Sequence, residues 1–243
     1  MYEKKSLTKF IEKYYLNGLV GSAQLEASNN NLETVFRNIE GNLRGVIKLD
    51  NIKLPDGFIG VYYTTKLLSM LSILNDDIDI VYKGENADKS IVSLELSDTK
   101  GRKAIYGASS LEIIDFDGKK GLVKNYEVSI DLNSETIQDI LKCFSALSSK
   151  TFTILKRDNK LFAIFNYTGT NLDQIELELD GKVDNDFDND DYIIFPGDPI
   201  KEILSINGKA FDKATLNVSI KGMMQLKFEE KGLTAEYWLM KNS

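Results

Sequence analysis

GFIGVYYTTKLLSMLSILNDDIDIVY, residues 57–82, holds two strand-like runs on either side of a helical segment. The run before the helix is apolar and rich in glycine, and the run after it follows an acidic turn. Between them, from about Thr65 to Leu74, leucines recur at the helical period. One face of this helix would carry Leu67, Leu68, Leu71 and Leu74. The stretch therefore predicts strand, short helix, turn and strand in close succession.

Three further segments have the same amphipathic period. The first runs from Ser6 to about Leu16, and the second, NSETIQDILKCFSALSS, begins with Asn133 or Ser134 as its cap. The third, DPIKEILSING, has Asp198 as a candidate N-cap and Pro199 in the first helical position. Their inward faces would carry Leu7, Phe10, Ile11 and Tyr14, then Ile137, Ile140, Leu141 and Phe144, then Ile200, Ile203 and Leu204.

Most of the remaining chain has the alternation of half-buried strands. Ser90–Ser97 and Gln174–Asp180 place apolar residues at every second position, which is typical of antiparallel sheets with one face in contact with solvent. The pairs Asp158-Asn159, Lys221-Gly222 and Lys231-Gly232 separate strand-like runs and predict hairpins.

The order of these elements occurs twice along the chain. Helix, several strands, short helix and several strands precede residue 110, and the same order follows residue 130. We therefore expect an α+β fold with two similar domains, each with antiparallel sheets backed by two helices. The domains would span 1–110 and 126–243, joined by a charged connector at 111–125.

Composition excludes several kinds of site. The chain has 243 residues, a formal net charge of −7, no histidine, and Cys143 as its single cysteine. It therefore lacks the usual general base, an internal disulfide and a cysteine metal cluster. The N-terminal MYEKKSLTKF lacks an apolar signal core, and no run is apolar enough to span a bilayer. We expect a soluble intracellular protein that binds no membrane, metal or cofactor and is not an enzyme.

Two stretches carry a family resemblance. Residues 57–82 resemble the middle of the first domain of a DNA sliding clamp, and GMMQLKFEEKGLTAEYWLMKN, residues 222–242, resembles the closing hairpin of such a clamp. The similarity is to clamps of the tailed-phage and proliferating cell nuclear antigen-like type. It implies a homotrimeric ring that encircles double-stranded DNA and binds it without regard to sequence. The implied partners are a DNA polymerase and a clamp loader ATPase. The implied location is the cytoplasm, which is the host cell cytoplasm if the protein is viral.

A sliding protein must attract phosphate without reading bases, which lysines on the outer faces of helices can do. Lys5, Lys9 and Lys13 recur opposite the apolar stripe of the first helix. The lysines expected to face DNA are Lys4, Lys5, Lys9, Lys13, Lys66, Lys142, Lys201 and Lys209. The alternative is an ordinary solvated helix surface, because acidic residues share these faces.

The resemblance also implies surfaces for protein partners. Partner peptides dock in clamps between the connector and the C-terminal strand, so the groove here would be formed by Ile113, Ile114, Phe116, Leu239 and Met240. These residues could instead hold the connector against the sheets.

Ring closure requires strands at sheet edges that pair between subunits. The candidate edges are Ala104–Ser109 and Ile175–Lys182.

Two other functions stay open at the level of sequence. One is a non-catalytic β-rich protein-interaction module, such as a virion or inhibitor protein, that does not encircle DNA. The other is an enzyme that uses only carboxylates, such as a glycosidase, which needs two acids converging in a cleft. The acidic segment 184–191 lacks the spacing of a calcium loop and is interpreted as a solvated loop.

Overall fold

The computed structural model describes residues 2–114, 125–167, 173–184, 186–188 and 192–242. Within these residues the chain divides into two compact units. The first comprises the described parts of Met1–Ile39, Gly45–Lys120 and Gly232–Ala235, and the second those of Glu40–Arg44, Gly121–Lys231 and Glu236–Ser243. None of the helices in the described ranges combines the length and the apolarity that a bilayer crossing requires.

The first unit alternates strands and helices in the predicted order. Its elements are β1 (Tyr2–Glu3), α1 (Lys4–Tyr15), β2 (Ala23–Ser28), β3 (Asn31–Arg37), β4 (Leu43–Asp50), β5 (Gly57–Val61), α2 (Thr64–Ser72), β6 (Asp77–Glu85), β7 (Ile91–Asp98) and β8 (Lys103–Gly107). One sheet has the order β1-β6-β7-β8, and β4-β3-β2-β5 are neighbours in the other. The pairs β6–β7, β7–β8 and β2–β3 are antiparallel.

The second unit repeats this order. Its elements are β9 (Val128–Asp131), α3 (Ser134–Leu147), β10 (Thr151–Arg157), β11 (Lys160–Phe165), β12 (Ile175–Leu179), β13 (Lys182–Val183), β14 (Tyr192–Pro196), α4 (Gly197–Asn207), β15 (Lys213–Ser219), β16 (Met223–Glu230) and β17 (Leu233–Met240). One sheet has the order β12-β11-β10-β14, and the strands β13-β9-β15-β16-β17 are neighbours in the other. The predicted α+β fold with antiparallel sheets is confirmed.

Local chemistry explains where the helices begin and end. The Asn133 side chain accepts a hydrogen bond from the Thr136 backbone N–H at 2.8 Å and caps α3, as predicted. α1 ends where Leu16 and Asn17 take left-handed φ values of 47° and 53°, and Gly18 follows with φ 104°. The hairpin pair Asp158-Asn159 has φ values of 52° and 60°, which suit a two-residue turn between β10 and β11.

Two predictions of local structure are wrong, and a third holds only in part. Asp198 does not cap α4, because the helix already begins at Gly197 and the Asp198 carboxylate accepts hydrogen bonds from Lys150 instead. Val92, one of the alternating apolar residues of Ser90–Ser97 and therefore expected to face inward with Leu94 and Leu96, is exposed. Gly84 on the neighbouring strand has no side chain to cover it. Of the predicted edge Ile175–Lys182, residues Ile175–Leu179 form the terminal strand β12, whereas Lys182 pairs with β9 in the other sheet of the unit.

Candidate nucleic-acid interface

The two helices of the first unit contact each other, and the apolar face of each is buried. Leu7, Phe10, Ile11 and Tyr14 of α1 are buried, and so are Leu67 and Leu71 of α2. The Tyr14 hydroxyl lies 3.3 Å from Thr64 Oγ1, which also donates to the Gly21 carbonyl oxygen at 2.8 Å. Burial raises the pKa of Tyr14, so the hydroxyl stays protonated. These contacts fix which face of each helix stays in contact with solvent.

The outer side of these two helices is basic. α1 and α2 contain five lysines and one glutamate. Lys5 and Lys66 are exposed and Lys9 is half-buried. Lysines on the outer faces of helices attract a polyanion without a fixed geometry, since each ammonium is a flexible point charge.

Two of the lysines predicted to face DNA are instead buried or bonded within the protein. Lys13 is only 4% exposed, so it does not lie on the solvent face of α1 as the helical period predicted. The Lys4 ammonium donates to the Leu74 carbonyl oxygen at 2.6 Å and lies 3.8 Å from Asp76 Oδ1. Both side chains are therefore unsuited to phosphate contact, and the basic surface of the first unit, defined here as Lys5, Lys9 and Lys66, is smaller than predicted.

The helices of the second unit pack in the same way. Ile137, Ile140 and Phe144 of α3 are buried, as are Ile200, Ile203 and Leu204 of α4. The Phe144 ring contacts Phe165 edge-on at 5.0 Å and stacks on Phe152 at 5.8 Å. Aromatic contacts of this kind hold α3 on the sheet that contains β10 and β11.

The outer side of the second pair of helices is not basic. α3 and α4 contain two lysines and four carboxylates. Lys142 is exposed, but its ammonium donates to Asp139 Oδ1 at 2.8 Å. Lys201 is half-buried, and Lys209 is exposed just beyond the end of α4. Lys150, in the turn after α3, donates a hydrogen bond to the Asp198 carboxylate at 2.9 Å. The sequence did not predict this contact, because the two residues are 48 positions apart.

A predicted edge strand lies at one end of the four-stranded sheet of each unit in the described residues. β8 is terminal in the first unit and β12 in the second. Ile105 of β8 is 57% exposed, while Glu176 and Glu178 of β12 form ion pairs with Arg157 and Lys160. Both strands have backbone groups available for pairing with another chain.

A cavity of about 390 Å³ opens in the first unit near the start of α2. Its lining includes Ile39, Arg37 and the neighbouring pair Tyr62 and Tyr63. Ile39 and Tyr63 are largely exposed, and the two tyrosine rings meet edge-on at 4.8 Å. Exposed apolar and aromatic side chains around a cavity are typical of a surface that binds another protein.

Comparison with solved structures identifies the architecture. Proliferating cellular nuclear antigen from Entamoeba histolytica superposes with a TM-score of 0.75 at 16% identity, covering 99% of this chain and 96% of that chain. The PCNA2–PCNA3 complex from Sulfolobus tokodaii gives 0.74 at 10% identity, covering 99% and 97%. A. fulgidus PCNA, solved with the C-terminal region of FEN-1 bound, gives 0.74 at 13% identity, covering 98% and 96%.

The chain has the sliding-clamp fold. No protein-family pattern matches its sequence, and no curated protein matches it either. The expected resemblance to clamps is therefore confirmed at the level of fold, over nearly the whole chain, although identity is only 10–16%.

The residues predicted to form a partner groove in this clamp-like chain differ in accessibility. Ile113 and Met240 are exposed, whereas Ile114 and Leu239 are buried. Phe116 lies outside the described residues. The Ile114 side chain packs against Gly60, where a Cβ would lie 3.0 Å from Ile114 Cδ1. Ile114 therefore holds the start of the connector on its unit, and Leu239 belongs to the core.

Proposed function

We propose that the chain is a sliding clamp, a ring-shaped processivity factor that encircles duplex DNA and tethers a replicative DNA polymerase. The observation that carries this proposal is the sliding-clamp fold over nearly the whole chain. In this proposal residues 1–110 and 126–243 are the two clamp domains and 111–125 the connector. The protein acts without catalysis, and an ATP-driven loader opens and closes the ring.

Two features of the chain support the assembly and the DNA contact. The terminal strands β8 and β12 offer edges through which three copies would close a ring. The basic surface of the first unit offers weak contacts that hold phosphate without reading bases. Encirclement would then provide retention, while the lysines keep the duplex centred.

Partner binding is proposed by analogy with the solved relatives. One of them carries the C-terminal region of FEN-1. Here the proposed docking groove would use the exposed Ile113 and Met240, together with Phe116.

A threading experiment tests encirclement without a loader. A duplex is attached to a bead by one end, incubated with the protein at low salt, and then closed at its free end with streptavidin before a wash at high salt. A ring stays on the closed duplex and is released when a restriction enzyme cuts the duplex. If the high-salt wash removes the protein equally from closed and open duplexes, binding is not topological and the clamp proposal is wrong. Light scattering over a range of concentrations is run in parallel and should give three chain masses.

A second candidate is a non-catalytic interaction module that does not encircle DNA. The excess of carboxylates on α3 and α4 and the cavity beside the exposed Ile39 and Tyr63 favour it. A stable monomer with no retention on closed duplex would support this candidate.

Nucleophilic catalysis by Cys143 is disfavoured, because burial raises the pKa of its thiol.

A further inference from the structure

The cavity of about 390 Å³ in the first unit has three segments of chain in its walls, residues 18–22, 37–39 and 62–65. The first and third segments are tied together by Thr64. Its N–H donates to the Gly21 carbonyl oxygen at 3.1 Å, and its hydroxyl donates to the same oxygen at 2.8 Å. The cavity is therefore formed before any ligand binds, which lowers the entropic cost of binding.

Three of the side chains that line this cavity are large, apolar or aromatic, and exposed. Ile39 is 101% exposed, Tyr63 is 63% exposed and Tyr62 is 40% exposed. Single apolar side chains on a surface are ordinary, but a group of three around one cavity is typical of a binding surface. The volume lies within the range of ligand sites, so the cavity accommodates a large side chain.

The chain enters one wall of the cavity through three consecutive residues with left-handed backbone. Leu16, Asn17 and Gly18 have φ values of 47°, 53° and 104°. This conformation is strained at Leu16, because a Cβ crowds the following carbonyl oxygen, and the fully buried side chain holds the residue there. Strained backbone that packing holds in place is common at binding sites.

The charge around the cavity is opposite in sign to that of the whole chain. Among the described residues that line it, Arg37 is the only charged one and none is a carboxylate, although the net charge of the chain is −7. Arg37 has an interaction of its own within the protein, so we assign the attraction to the start of α2.

The first turn of α2 begins at the cavity with Thr64 and Thr65. It contains the exposed Lys66 and no acidic residue. The positive end of the helix dipole favours an anionic group in the same place. Charge complementarity therefore selects an acidic partner.

The shape of the exposed group favours a peptide over a nucleic acid. The rings of Tyr62 and Tyr63 meet at 88°, so they do not form a flat platform on which successive bases stack. Ile39 has no ring, and an aliphatic side chain beside aromatic ones suits an apolar side chain of another protein.

We propose that this cavity binds an acidic peptide segment of a partner protein, with one apolar or aromatic side chain of the peptide placed against Ile39 and Tyr63. The site shares no lining residue with the groove proposed at Ile113 and Met240. It does not depend on the chain acting as a clamp.

Three variants test the site. A Cβ at Gly21 would have no heavy atom within 4 Å, so G21L should fill the cavity without straining its wall. I39S/Y63S removes two exposed side chains of the lining. I73S/V81S removes two exposed apolar side chains elsewhere in the same unit and is the matched control. Thermal unfolding establishes that all three variants fold like the unaltered protein.

The probe is a phage-displayed library of short random peptides that is panned on the unaltered protein. Enriched peptides are synthesised with a fluorescent label, and their binding is measured by anisotropy. We expect them to carry aspartate or glutamate around an apolar or aromatic residue, and to bind more weakly as the salt concentration rises. G21L and I39S/Y63S should each weaken binding at least about tenfold, whereas I73S/V81S should stay within about twofold.

The peptide assignment is overturned if the enriched peptides are basic, or if they bind G21L and I39S/Y63S as tightly as the unaltered protein. A library that yields no peptide selective for the unaltered protein over I39S/Y63S overturns it as well. A labelled oligothymidylate is measured in parallel. If it binds the unaltered protein and loses binding in the same two variants, the ligand is a single-stranded nucleic acid and the peptide proposal is wrong.

Discussion

Lys4 donates from its ammonium to the main-chain carbonyl oxygen of Leu74 at 2.6 Å, across 70 positions of sequence. Leu74 lies just beyond the end of α2, where carbonyl oxygens have no partner within the helix. The Lys4 side chain is only 19% exposed. The contact therefore ties the first turn of α1 to the end of α2, and Lys4 has a structural role that its neighbour Lys5 lacks.

Replacement of these two adjacent lysines should have different effects on stability. Lys4→Gln is expected to lower the free energy of unfolding by about 1–2 kcal/mol, because a partly buried hydrogen bond from a charged donor is lost. Lys5→Gln should change it by less than about 0.5 kcal/mol, as is usual at the surface. Urea denaturation of both variants measures the difference. Equal stabilities would mean that the Lys4–Leu74 contact contributes nothing.

The cap of α3 gives a second stability prediction. Asn133→Ala should destabilise the protein by about 1 kcal/mol, because the Thr136 N–H loses its acceptor. Asn133→Asp keeps an acceptor and places a negative charge at the helix N-terminus, so it should retain the stability. Thermal and urea unfolding compare the two variants. A loss of the same size in Asn133→Asp would show that the cap is not the cause.

Asp98 predicts a pH dependence in the first unit. Burial by itself would raise the pKa of Asp98, but several hydrogen bonds outweigh it and lower the pKa from 3.8 to about 2. The donors are the Asn75 N–H at 2.9 Å, the Arg102 N–H at 3.0 Å, the Lys100 N–H at 2.9 Å and Arg102 Nε at 2.7 Å. These bonds favour the ionised carboxylate in the folded state.

Because the folded-state pKa is depressed, the stabilisation by Asp98 is present above its ordinary pKa and is lost as the pH falls from about 4 to about 2. Asp98→Asn should therefore be clearly less stable than the unaltered protein at pH 6, and the gap should shrink towards pH 2. Asp131→Asn, a change at an exposed position, serves as the control. A gap that stays constant with pH in urea denaturation would contradict the role of the charge.

The proposed ring closure predicts different effects for two exposed apolar residues in one row of the sheet. Ile105 on the terminal strand β8 and Val81 on β6 both pair with Glu95 of β7. Ile105→Lys should weaken self-association by at least tenfold, because lysine on an edge strand opposes pairing with another chain. Val81→Lys places the same charge opposite Glu95 from β6, on the other side of β7, and should leave assembly unchanged. Sedimentation over a range of concentrations compares them, and equal association would exclude β8 as the contact.

Much of the fold follows from local patterns. The helical period placed Leu7, Phe10 and Ile11 inward, and the structure buries all three. The cap at Asn133 and the turn at Asp158-Asn159 depend on a few neighbouring residues, so they were predictable as well. Asp198 was wrongly predicted as a cap because its partner Lys150 is 48 residues away.

Sequence by itself determined the order of elements, the repeat, and the apolar faces of the helices, because burial periodicity is a property of consecutive residues. Tertiary structure decided which lysines remain on the surface. Lys13 falls on the polar side by period but is buried, and Lys4 meets a carbonyl oxygen from a distant helix end. Which lysines can serve the proposed DNA contact therefore depends on partners distant in sequence, which the helical period does not show.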